Sequence, residues 1–158
     1  MRRSHNEHQI RRHRLLGHDY TEAGFYFATF GTKDGQELLG IINEGRMKLS
    51  ETGQILSDLI KELPNQFDQV IVDSFAIMPN HVHILLYLKI DRDPVSISDL
   101  VRSIKGRSAA SHRKLGLNSD GLWHKGFHDE IVRNAKQLDE VRRYIAENPI
   151  RWRKNEGW

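Results

Sequence analysis

With 158 residues and a mass of 18.4 kDa, the chain is the size of one domain and long enough to bury a sizeable core. It has no cysteine, which excludes disulfides, thiolate metal sites and cysteine nucleophiles. No apolar run approaches the ~18 residues of a membrane span and the start is basic rather than signal-like, so a cytoplasmic protein without a membrane role is expected.

The net charge of +3 is unevenly spread: the first fourteen residues, MRRSHNEHQIRRHR, hold five arginines against one glutamate, so the remainder sums to −1. This divides the chain into a basic arm, residues 1–14, and a single domain, residues 15–158. Clusters such as Arg2-Arg3 and Arg11-Arg12 suit a phosphate backbone, gripped by charge and blind to sequence; a solvated tail has the same composition. Residues 24–33, GFYFATFGTK, are aromatic and β-branched and predict a first strand that turns at Lys33-Asp34-Gly35. Residues 38–49 predict a small hairpin turning at Asn43-Glu44-Gly45. Ser50 then reads as an N-cap, with Ile55, Leu56, Leu59, Ile60 and Leu63 at helical spacing and Pro64 as the stop.

Residues 70–90, VIVDSFAIMPNHVHILLYLKI, predict two strands joined by a sharp turn at Met78-Pro79-Asn80. After a loop through Pro94, a basic helix is expected from Ser96 or Ser98, with Ile97, Leu100, Val101 and Ile104 as its apolar stripe. Residues 122–132, LWHKGFHDEIV, read as a fourth strand of mixed composition. A last helix begins at Asn134, an N-cap with Gln137 three residues later as in a capping box, and should kink or end at Pro149. This order predicts a ferredoxin-like α+β sandwich: an antiparallel sheet with two helices on one face and a C-terminal, tyrosine-bearing helix.

Side chains alternate along a strand, so His81 and His83 face one way, ~7 Å apart, while Val82, Ile84, Leu86 and Leu88 face the other. Such a pair is more often solvent-facing or hydrogen-bonded than metal-bound. Leu85 and Tyr87, however, share the histidine face, which therefore also needs cover, and the C-terminal helix is the element left to supply it. That would bring Tyr144 and Asn148, one helical turn apart, towards the two imidazoles.

MPNHVH on a strand, then LWHKGFHDEIVRN, then YIAENPIRW closely resemble the single-tyrosine HUH transposases, the IS200-like family, and within it the REP-associated tyrosine transposase branch. The opening DYTEAGFYFATFGTKDG resembles the family's first strand, so the similarity runs over roughly residues 15–153. His81-Val82-His83 matches the HUH signature, Tyr144 the nucleophile, and Asn148 the polar ligand one turn after it.

The resemblance implies that Tyr144 attacks single-stranded DNA near a hairpin and forms a 5′-phosphotyrosine. His81, His83 and Asn148 would hold Mg²⁺ or Mn²⁺, since two imidazoles and an amide carbonyl leave positions open for phosphate oxygens. Lys105, Arg107, Lys125, Arg133 and Arg151 are further candidate phosphate contacts, besides Arg2, Arg3, Arg11 and Arg12. His124 and His128 read as surface histidines, and Trp123 as a core residue rather than a stacking platform. A hairpin-DNA-binding protein with little cleavage, and a metal-dependent phosphodiesterase that uses water, are the alternatives. A monomer and a homodimer are both compatible with the sequence.

Overall fold

The computed structural model of the protein describes residues 23–116 and 121–152; the basic arm, with the candidate DNA contacts Arg2, Arg3, Arg11 and Arg12, lies outside the described residues. A four-stranded antiparallel sheet is built from β1 (Gly24–Gly31), β4 (Val70–Met78), β5 (His81–Leu88) and β6 (His128–Val132) in the order β4-β5-β1-β6. Between β1 and β4 lie a separate hairpin, β2 (Gly40–Asn43) with β3 (Arg46–Leu49), then helix α1 (Glu51–Lys61) and the one-turn α2 (Leu63–Gln66). Helix α3 (Ile97–Lys114) joins β5 to β6, and α4 (Ala135–Arg151) follows β6. The order and pairing are those of the expected ferredoxin-like α+β fold.

Local sequence explains most boundaries. The β2–β3 turn uses left-handed backbone at Glu44 (φ 50°) and Gly45 (φ 73°), the geometry that matches strand twist in a two-residue hairpin. Ser50 caps α1 by accepting from the Gly53 N–H at 3.1 Å. Ser96 and Asp99 form a reciprocal capping box at the start of α3. Asn134 accepts from the Gln137 N–H at 2.8 Å, but Gln137 reaches back to Arg133 rather than to Asn134, so this cap is only half a box.

Alternation along the strands divides the interior in two. Tyr26, Ala28, Phe30, Val82, Ile84, Leu86 and Leu88 pack against Leu56 and Ile60 of α1 and Leu100, Val101 and Ile104 of α3. The opposite face is smaller: Ala76 and Leu85 meet Val141 and Ile145 of α4, with Phe25, Phe27, Val132 and Leu138 around them. Each of those two α4 side chains contributes on the order of 1.5–3 kcal/mol. So α4 covers the histidine face, as the second apolar set on β5 requires.

One irregularity adjusts this pattern. Val72 pairs with Leu86 but Ser74 pairs with Leu85, so Asp73 is the extra residue of a β-bulge. The slip turns Phe75 and Ile77 into the larger core and Ala76 into the smaller one. It also frees the Asp73 carboxylate to receive Arg142 of α4 in a bidentate pair, Nε at 3.0 Å and Nη2 at 2.6 Å.

Three sequence expectations are corrected. Pro64 does not simply stop a helix; α1 ends at Lys61 and Pro64 sits in the first turn of α2, where its missing N–H costs nothing. The fourth strand is only His128–Val132, because Leu122–Phe127 leaves the sheet after one bridge between Trp123 and Thr32. Of the two outcomes expected at Pro149, a kink or an end, the end is overturned: α4 continues to Arg151. Pro149 lies in a groove with Met47, Leu49 and Ile77, and the Asn148 side chain donates to the Tyr144 carbonyl at 3.0 Å, adding a bond in the turn that proline weakens.

Candidate active site on the histidine face

β5 begins directly after the Pro79-Asn80 turn, so His81 and His83 stand at the end of the sheet, on the face that α4 covers. They are 7% and 4% exposed, too enclosed for the surface reading of the pair. Each imidazole is held through Nδ1: His81 to Asn80 Oδ1 at 2.7 Å, His83 to Thr29 Oγ1 at 2.7 Å. Asn80 in turn donates its Nδ2 to the Gly35 carbonyl at 3.2 Å. That bond turns Oδ1 towards His81, which must then carry its proton on Nδ1 and a lone pair on Nε2.

The two Nε2 atoms converge to 3.1 Å. The Thr29 hydroxyl can accept from His83 Nδ1 or donate to it: in the first case His83 offers a second lone pair to the same point, in the second its Nε2–H donates to His81 Nε2. Two bare lone pairs at that distance repel, unless a proton or a cation lies between them. Two nitrogens ~2.1 Å from one ion at ~90° would be ~3.0 Å apart, so the spacing fits neighbouring positions of a six-coordinate ion. Burial also keeps both rings neutral: it lowers the His81 pKa to about 4. The same desolvation, with repulsion from a charged His81, lowers His83 to about 3 against an opposing hydrogen bond to Asn148. Neutral imidazole is the ligating form.

Helix α4 supplies the remaining groups. The Tyr144 ring lies 5.1 Å from His83 and 6.2 Å from Phe27, edge-on to both, and is 45% exposed. Asn148, half-buried one turn later, commits its Nδ2 to the Tyr144 carbonyl and keeps Oδ1 as an acceptor. Among the described residues no three His, Cys, Asp or Glu cluster together. The donor set available to a metal is thus two neutral imidazoles and one neutral amide oxygen. Such a set suits an exchangeable divalent ion with sites open to anionic oxygens better than a permanent structural one.

The sequence-derived basic residues scatter. Lys105 and Arg107 are on α3, across the sheet from the imidazoles. The Lys105 ammonium donates to the carbonyls of His124 (2.9 Å) and Gly126 (2.6 Å), beside Phe30, and burial lowers its pKa to about 8. It holds the loop before β6. Arg107 lies 3.8 Å from Glu62, and Arg151 pairs with Glu147 one turn back. Lys125 and Arg133 are exposed. His128 is half-buried and stands in the cross-strand row Ala76, His83, Thr29, His128, on the site's side of the sheet rather than out in solvent. Trp123 is a core residue, its ring 4.9 Å from Phe30 and its Nε1 donating to Ser108 at 2.9 Å.

Sequence reading missed Thr29, Asn80 and Trp152. Thr29 lies 54 residues before its partner, and only the β1–β5 register reveals it. Asn80 adjoins His81 within the MPNHVH run and was legible there. Trp152, the residue that ends α4, lies 6.0 Å from His81.

Comparison with known proteins places the chain in a family and a fold. A family model described as "Transposase IS200 like" matches residues 41–148. A Haemophilus influenzae protein of uncharacterized function is 29% identical, over 94% of this chain and 93% of its own length. Another from the same organism, provisionally named a REP-associated tyrosine transposase, is 26% identical over 84% of this chain and 74% of its own. Among solved structures, a REP-associated tyrosine transposase bound to a REP hairpin shares the fold with a TM-score of 0.64 at 21% identity, over 87% of this chain and 73% of that one. A provisionally named transposase from Deinococcus radiodurans gives 0.52 at 22% identity, over 84% and 96%. The chain belongs to the IS200-like transposase family.

Proposed function

We propose that this protein is a REP-associated tyrosine transposase that cleaves and rejoins single-stranded DNA beside a hairpin, with Tyr144 as nucleophile. The observation that carries this reading is the placement of Tyr144 and Asn148 by one helix against His83, beside two neutral imidazoles whose Nε2 atoms meet at one point.

The phenol oxygen of Tyr144 forms a bond to phosphorus as the bond from phosphorus to the 3′-oxygen breaks. The phenol loses its proton and the leaving oxygen gains one, which gives a 5′-phosphotyrosine and a free 3′-OH. One phosphodiester replaces another, so the reverse attack by a 3′-OH rejoins DNA without a nucleotide cofactor. His81, His83 and Asn148 would hold a divalent ion, Mg²⁺ or Mn²⁺, which supplies charge stabilisation on the non-bridging oxygens and orients the phosphate. The chain's own contribution is orientation: Thr29 and Asn80 fix the two rings, and α4 fixes the phenol relative to them. The rim position of Tyr144 leaves it open to a strand from solvent. Hairpin DNA as the partner follows from the family branch, and is supported by the relative whose structure holds a REP hairpin.

The test is a denaturing gel of hairpin-flanked single-stranded DNA incubated with Mg²⁺ or Mn²⁺. A protein–DNA adduct that disappears with Tyr144→Phe and with EDTA is the expected result. Cleavage that survives Tyr144→Phe would instead mean hydrolysis by water. Binding with no cut under any condition would leave a hairpin-binding module.

A further inference from the structure

We propose that Trp152 is a stacking subsite for a nucleobase, seating the base next to the scissile phosphate on the His81 side of the site. This deepens the strand-cleavage reading given above and rests on it. The described residues contain two indoles with opposite surroundings. Trp123 is half-buried but fully engaged: its ring packs on the larger core against Phe30 and its N–H is satisfied by Ser108. Trp152 is only half-buried and belongs to neither apolar cluster. Its ring lies instead beside a polar imidazole, 6.0 Å from His81 and tilted 36° to it. That is not a closed parallel stack.

Position makes this informative. Tyr144 and Asn148 lie one turn apart on α4, and Trp152 is the residue that ends the helix, four residues after Asn148. The imidazole pair is therefore bracketed, with Tyr144 against His83 and Trp152 against His81. Gly31 is the β1 residue paired with His81, so no β1 side chain fills the space beside that ring. A nucleotide whose phosphate lies at the imidazoles would have its base within reach of one aromatic face. Every base has a π-face, so such a platform grips a strand without reading its sequence. The nearby cation Arg151 is already paired with Glu147.

The test measures binding of two DNA hairpins in EDTA, in a Tyr144→Phe background that cannot form an adduct. One carries an ordinary single-stranded flank; the other carries the same phosphates on abasic sugars. Trp152→Leu should weaken binding of the ordinary flank roughly tenfold and Trp152→Phe much less, with neither change affecting the abasic flank. Equal losses on both flanks, or no loss on either, would overturn the subsite. Adduct formation with Mn²⁺ by the chain carrying Tyr144 is followed in parallel. An adduct without base-dependent loss would refute the role of Trp152 and leave the tyrosine chemistry standing. Base-dependent loss without any adduct would support the subsite and refute that chemistry.

Discussion

Replacing Thr29 by valine tests whether the histidine pair is built to receive a cation. Valine has threonine's shape and is at home in a strand, so β1 should tolerate it. What disappears is the 2.7 Å bond to His83 Nδ1. His83 is 4% exposed, so in the metal-binding tautomer, with the proton on Nδ1, losing that partner costs about 1–3 kcal/mol. The ring can escape that cost by moving its proton to Nε2 and donating across the 3.1 Å gap to His81. An ion would then have to break an internal hydrogen bond before binding. Loss of an outer partner of this kind typically weakens metal affinity roughly 10–100-fold, about 1.4–2.7 kcal/mol. Calorimetric titration of Mn²⁺ into both proteins, with thermal unfolding in EDTA as the control, measures the effect. Thr29→Ser should restore most of the affinity. If Thr29→Val binds Mn²⁺ as tightly as the parent while melting normally, the hydroxyl does not set the tautomer and the reasoning fails.

Other consequences follow from the same packing. Ile145→Ala removes one of two buried anchors of α4 and should cost about 2–5 kcal/mol, read as a lower urea midpoint. Asp73→Asn and Arg142→Gln should each slow adduct formation, and the double variant no more than either alone, because they break one clamp; additive losses would mean that the pair does not act together. His112, 2% exposed with Nδ1 on Thr52 and Nε2 unpartnered, has its pKa lowered by desolvation. The unfolded chain then binds a proton near pH 6.5 that the folded chain refuses, so its contribution is full above that pH and lost below it. Denaturant titrations from neutral to mildly acid pH should show a shallower decline for His112→Gln than for the parent; an unchanged slope would remove His112 from the account.

Much of the molecule was written in local sequence. The caps at Ser50, Ser96 and Asn134, the Glu44-Gly45 turn and the apolar stripes of α1 and α3 depend on neighbours a few residues away, and such signals survive folding unchanged. So does the two-faced pattern of β5, which alone demanded a helix over the histidines and thereby drew Tyr144 and Asn148 towards them. What sequence could not decide depends on pairing between distant segments. The β1–β5 register alone puts Thr29 beside His83, and the bulge at Asp73 alone gives Arg142 its partner. The loop path from Leu122 to Phe127 turns Lys105 from a candidate phosphate contact into a strut under two carbonyls. The helix α4 runs two residues past Pro149, to Arg151, and the residue that ends it, Trp152, comes to lie beside His81. Periodicity determines which face a residue occupies; only the meeting of remote backbones determines what it finds there.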